Sequence, residues 1–265
     1  MSVEHGEKRK RVVFWIILIL SICTMLFAGY KLWEGRQVYL EGEQNYKQLA
    51  DNVKLADLPV SHAENAAGAE PDVQIPGMAI DFDKLREVNP DAVAWLYCPD
   101  TAIDYPVMKA TDYSYYLDHL PDGTVNANGA LFIDYNCAPD FSDSLTVVYG
   151  HHMKSGKMFG CLVGYKKQEY YEQHPYMYLY TAQGNYRVDL LYGCVIGAGE
   201  WRERAFMFEA NLNALLSYAD HNTTFESGTR YAEEGGRVIA LSTCSYEFDD
   251  ARYFVLGLLQ PEYGG

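Results

Sequence analysis

A cysteine, an arginine and a pair of histidines stand at the ends of three apolar segments of this chain, and such groups can together carry nucleophilic acyl chemistry. Segment Gly236 to Cys244, GRVIALSTC, is a β-branched run that ends on a thiol, and the polar stretch Ser245 to Asp250 separates it from Arg252. If the runs on either side of that stretch pair antiparallel, Cys244 and Arg252 face each other at the mouth of one hairpin, about 5–8 Å apart. One substrate carbonyl could then touch both. Taken alone, the two residues are better explained as a core cysteine beside a surface arginine. Segment Ser144 to Met153, SLTVVYGHHM, is a second apolar run, and it breaks at Gly150 into His151 and His152. Imidazole, with an ordinary pKa of about 6.5, can take a proton from a thiol and later return it to a leaving amine.

Two other chemistries use the same residue types. A zinc site could draw on His151, His152 and a thiol, but adjacent residues in extended chain point to opposite faces and seldom reach one ion. No metal and no cofactor is expected. A papain-like hydrolase places its cysteine near the mature N-terminus, with the histidine much later. Here the order is His, Cys, Arg, with the cysteine on a late strand.

The elements that must position these groups read as short strands separated by turn residues: 92–98, 105–108, 130–134, 145–150, 176–181, 186–196, 237–244 and 252–259. Eight such runs predict a closed or nearly closed β-barrel. Helical stretches interrupt them at 82–87, 158–173 and 208–219, too few for alternating βαβ units, so the expected class is mainly β with peripheral helices. The six cysteines show no CxxC pair and none of the regular spacing of a disulfide framework, and they read as mostly free thiols.

The N-terminal part has a different character. Residues 1–11 hold Lys8, Arg9, Lys10 and Arg11 against Glu4 and Glu7, and the acidic excess behind the formal net charge of −15 lies wholly beyond them. So acidic a body argues against nucleic acid as partner. Residues 12–30 are free of charge and long enough to cross about 30 Å of hydrocarbon, with the basic cluster on the cytoplasmic side by the positive-inside rule. A cleaved signal peptide is the competing reading, kept open by Ala28 and Gly29. Residues 31–58 are helix-favouring, and Tyr39, Tyr46, Leu49 and Val53 share one face, which suits either a membrane-proximal helix docked on the domain or a solvated stalk. Residues 59–78 are rich in Ala, Gly and Pro and read as a linker, which leaves 79–265 as the catalytic domain.

The strand ending YGHHM, the strand ending LSTC and an arginine eight residues beyond the cysteine together resemble the sortase family. The stretches IDFDKLREVNPDAVAWLYCPDTAIDYPVMKATDYSYYLDHL (80–120) and NGALFIDYN (128–136) extend the likeness toward class B. It covers about 80–259. The resemblance implies an eight-stranded sortase barrel, Cys244 as nucleophile, His151 as proton carrier and Arg252 as oxyanion stabiliser, with the Ser245 backbone N–H as a second donor. His152 would be a neighbour without a required role. Arg252 is the one arginine after Cys244. The implied reaction cleaves a Pro-containing sorting signal of a secreted protein after Thr and transfers the protein to a peptidoglycan-precursor or cross-bridge amine, at a Gram-positive-type surface. Class C, pilus-polymerising sortases usually carry a lid with an Asp-Pro-aromatic pattern. Residues 59–78 show none, and Asp81-Phe82 lacks the proline. An inactive peptide- or wall-binding ectodomain is a further alternative, against which the retained Cys–His–Arg trio speaks.

Overall fold

A computed structural model of the chain describes residues 2–55, 78–206, 212–231 and 235–261. The expected linker, apart from Met78, and the start of the helix expected at 208–219 lie outside the described residues. The chain divides into two compact units, Met1–Gln44 and Asn45–Gly265. The first is the larger part of helix α1 (Ser2–Val53), whose side chains Phe14, Trp15, Ile17, Leu20, Met25 and Phe27 are all exposed. This helix is long and apolar enough to cross a membrane.

In the second unit, the last turns of α1 bury Tyr46, Leu49 and Val53, spaced three and four residues apart as one helical face requires. Of the two forms open from sequence, residues 45–53 take the docked one, while Tyr39 is exposed. A two-residue strand β1 (Lys54–Leu55) then pairs with β2 (Ala79–Ile80), and Lys54 is salt-bridged to Asp104. Helix α2 (Phe82–Val88) is capped by the Asp81 carboxylate, which accepts from Lys84 N–H at 3.0 Å.

The remaining strands are β3 (Ala92–Tyr97), β4 (Asp104–Lys109), β5 (Leu131–Ile133), β6 (Leu145–Tyr149), β7 (Tyr176–Thr181), β8 (Gly184–Gly197), β9 (Val238–Cys244) and β10 (Ala251–Pro261). They close into a barrel in the order β10-β8-β7-β3-β4-β5-β6-β9. All eight expected strands are present, with ends shifted by a residue or two. The stretch expected to be helical at 158–173 is a 3₁₀ turn, Gly160–Lys166, followed by α3 (Gln168–Gln173). Helix α4 (Ala198–Phe206) was not expected, and α5 (Leu212–Asn222) follows it.

Alternation along the late strands shows why they read as unbroken apolar runs. Ile239, Leu241, Tyr253 and Val255 point into the barrel. Val238, Ala240, Phe254 and Leu256 point outward and are covered by Trp201, Leu215, Leu216 and Ala219 of α4 and α5. A strand buried on both faces loses its polar alternation. Phe82 and Leu85 of α2, with Leu49 and Val53, cover another outer face around Trp95, Phe132 and Tyr180.

Candidate active site

Strand register brings the trio together. Strands β6 and β9 run parallel with Tyr149 beside Ser242, so position 151 falls beside position 244 when the register is carried two residues on. Two bonds extend the match past the strand end: Gly150 N–H donates to the Ser242 carbonyl at 3.2 Å, and Thr243 Oγ1 donates to the Gly150 carbonyl at 2.7 Å. Gly150 is required by space, because a Cβ there would collide with Leu131 Cδ2 and lie 2.6 Å from Phe159 Cδ2. On the other side of β9, Cys244 and Arg252 are direct antiparallel partners. Ser245 N–H donates to the Ala251 carbonyl at 2.9 Å, which makes the adjoining 244/252 rung a non-hydrogen-bonded one, where facing side chains come closest. The parity that sends Val147, Ala240 and Phe254 out of the barrel is that of 151, 244 and 252.

Both imidazoles are half-buried and held by carbonyls. His151 Nε2 lies 2.6 Å from the Leu117 oxygen. A carbonyl only accepts, so Nε2 carries the proton and Nδ1 holds the lone pair of the neutral ring. His152 Nδ1 donates to the Cys244 carbonyl at 2.7 Å, and its ring lies 5.0 Å from that of Tyr246. No sequence pattern signals this second contact, which ties the backbone of the cysteine to the turn after β6. Arg252 Nη1 donates to the Ala251 carbonyl at 3.0 Å.

The Ser245 backbone N–H, expected as an oxyanion donor, is already given to Ala251 in the β9–β10 ladder. The Ser245 side chain makes two further bonds. Its Oγ accepts from Lys166 Nζ at 2.9 Å and donates to Glu247, which is itself ion-paired with Lys166. Burial pushes the Glu247 carboxyl upward, but hydrogen bonds from Lys166 and Ser245 outweigh it and bring the pKa down to about 2. The Lys166 ammonium also sits 5.1 Å from the centre of the Tyr253 ring. These residues pin the loop between Cys244 and Arg252, and no motif in the sequence marks them.

The other thiols of the barrel unit are poor nucleophiles. Burial pushes the Cys137 and Cys161 thiols up to about 11 and that of Cys194 up to about 12, and it raises Cys98 as well. Cys244 is only half-buried, at a strand end. Among the described residues, no cluster of His, Cys, Asp and Glu could hold a metal ion.

Comparison with known proteins fits this geometry. No protein-family model matches the chain. It is 27% identical over 238 residues to Sortase B of Listeria monocytogenes, covering 88% of this chain and 90% of that protein. To Sortase B of Staphylococcus aureus it is 26% identical over 178 residues, 66% of each. Among solved structures, sortase B from B. anthracis in complex with AAEK1 superposes with a TM-score of 0.68 at 23% identity, over 85% of this chain and 99% of that one. The S. aureus sortase B–substrate complex gives 0.63 at 23%, over 68% and 85%. A sortase B complexed with triglycine gives 0.62 at 23%, over 68% and 86%.

The closed eight-stranded barrel is the fold of the solved sortases on which it superposes, and the chain is similar in sequence, along most of its length, to Sortase B of Listeria monocytogenes, a cysteine transpeptidase. Among sortases, its likeness is to those of class B.

Proposed function

We propose that the protein is a membrane-anchored class B transpeptidase that works through a thioacyl intermediate on Cys244. The observation that carries the reading is the register, which pairs Arg252 with Cys244 and runs β6, two residues short of His151, parallel to β9 as far as Tyr149 beside Ser242. In the first half-reaction the Cys244 thiolate attacks the Thr carbonyl carbon of a Pro-containing sorting signal. Arg252 holds the oxygen that takes up the electron pair. The tetrahedral adduct collapses, the peptide C–N bond breaks, and His151, holding on Nδ1 the proton it took from the Cys244 thiol, gives that proton to the leaving amine. In the second, a wall-peptide amine attacks the thioester carbonyl while His151 takes its proton, and the C–S bond breaks to free the thiolate. With Ser245 N–H engaged, Arg252 is the main oxyanion donor of this scheme. The Ser245–Lys166–Glu247 cluster holds the loop that carries it.

The substrate complex and the triglycine complex of the sortase B neighbours support a peptide signal and an amine acceptor here. The apolar stretch 12–30 would anchor the enzyme beside secreted substrates and lipid-linked wall precursor, with residues 1–11 inside the cell and 79–265 outside. Mass spectrometry of the products from a panel of sorting peptides, with and without candidate amines, tests the proposal. Amine-linked product is expected. Free acid as sole product under every amine would reduce the activity to hydrolysis.

A further inference from the structure

The helix that carries the apolar span contributes a buried hydroxyl to the barrel unit, and that hydroxyl is two contacts from His151. Tyr46 packs edge-on against Tyr105, with ring centroids 5.0 Å apart, and donates its O–H to the Gly129 carbonyl at 2.5 Å. Burial, with Tyr105 and Asp122 adding to it, holds the phenol well above its usual range, so it stays a donor at any working pH. Gly129 has φ of +58°, and a Cβ on it would lie 2.7 Å from the Leu117 oxygen and 3.0 Å from His151 Cδ2. That same Leu117 oxygen accepts the Nε2–H of His151 at 2.6 Å. Two backbone bonds, Asn126 N–H to the Asp118 oxygen and Ala130 N–H to the Tyr116 oxygen, each 2.8 Å, join the segment that holds Leu117 to the one that holds Gly129.

Packing alone does not call for a hydroxyl at 46, because phenylalanine would fill the same volume. We propose that Tyr46 is a positioning residue for His151, acting through Gly129 and the Leu117 carbonyl, so that the docked end of the anchor helix forms part of the active-site scaffold. The inference rests on the reading of His151 as proton carrier. Imidazole placement matters because proton transfer depends on near-attack geometry, where a shift on the order of 1 Å is costly.

The test uses the full chain in detergent micelles. Tyr46→Phe is expected to lower kcat roughly three- to tenfold, the range of one lost neutral hydrogen bond, with KM little changed. The ¹⁵N resonance of His151 Nε2 is expected to move with it. Asn45→Ala removes a neighbouring contact of the same turn, 2.5 Å to Asp122, without touching Gly129, and should keep wild-type kcat. Wild-type kcat with an unmoved His151 resonance in Tyr46→Phe would overturn the proposal, as would an equal loss in Asn45→Ala. Activity in His151→Ala would instead remove the proton-carrier reading, and the His151 resonance in Tyr46→Phe would still decide the coupling.

Discussion

Arg252 meets Cys244 across a single rung of the β9–β10 ladder, so the role proposed for it depends on the shape of its side chain as much as on charge. A guanidinium offers several donors in a fixed plane, whereas an ammonium offers one mobile point. Arg252→Lys is therefore expected to cost roughly 10²-fold in kcat, within the range of a lost oxyanion donor. The two histidines separate by what they touch. His151→Ala should be nearly as damaging as loss of the thiol, since it removes the proton carrier. From sequence alone, His152 looks dispensable. Its bond to the Cys244 carbonyl changes that expectation to a loss of about two- to tenfold in His152→Ala, still far short of His151→Ala. Steady-state kinetics on the three variants checks the series. A dead His152→Ala beside an active His151→Ala would reverse the assignment.

At the scale of elements, the loop after β9 owes its form to the ion pair between Glu247 and Lys166, which reaches across from the 3₁₀ turn at 160–166. The Glu247 carboxyl is depressed from 4.5 to about 2 in the folded chain. Its contribution to stability is thus fully present above the unfolded value and is lost as pH falls through the folded one. Thermal melts of wild type and Glu247→Gln should differ at neutral pH and converge between about pH 4.5 and about pH 2. A constant gap across that window would mean that the carboxylate charge does not hold the loop. The strands themselves were legible in sequence because their β-branched runs are bounded by turn residues, and the hairpin facing of Cys244 and Arg252 follows from that pattern. The Lys166 clasp was not legible, because its members are 79 and 81 residues apart and tertiary packing alone joins them. Helix α4 was missed for a related reason. It follows β8 directly at Ala198, and its buried anchor, Trp201, gives no periodic stripe. That the Ser245 N–H bonds to Ala251 was not legible either, because which rungs of a ladder are hydrogen-bonded is set by register, which the sequence does not print.

For the whole molecule, charge asymmetry around residues 12–30 gives the expected orientation, with the basic tail inside and the acidic body outside. Protease added to intact cells should remove the acidic domain, and full protection of that domain would reverse the topology. Everything else in the proposed reaction depends on one covalent event at one thiol. Intact-mass and peptide-mapping spectrometry after brief exposure to a sorting peptide, before any amine is added, measures that event directly. The expected result is a single thioacyl adduct on Cys244, absent from Cys244→Ala and discharged to a new amide when amine is supplied. An adduct on another cysteine, or amide product from Cys244→Ala, would contradict the assignment.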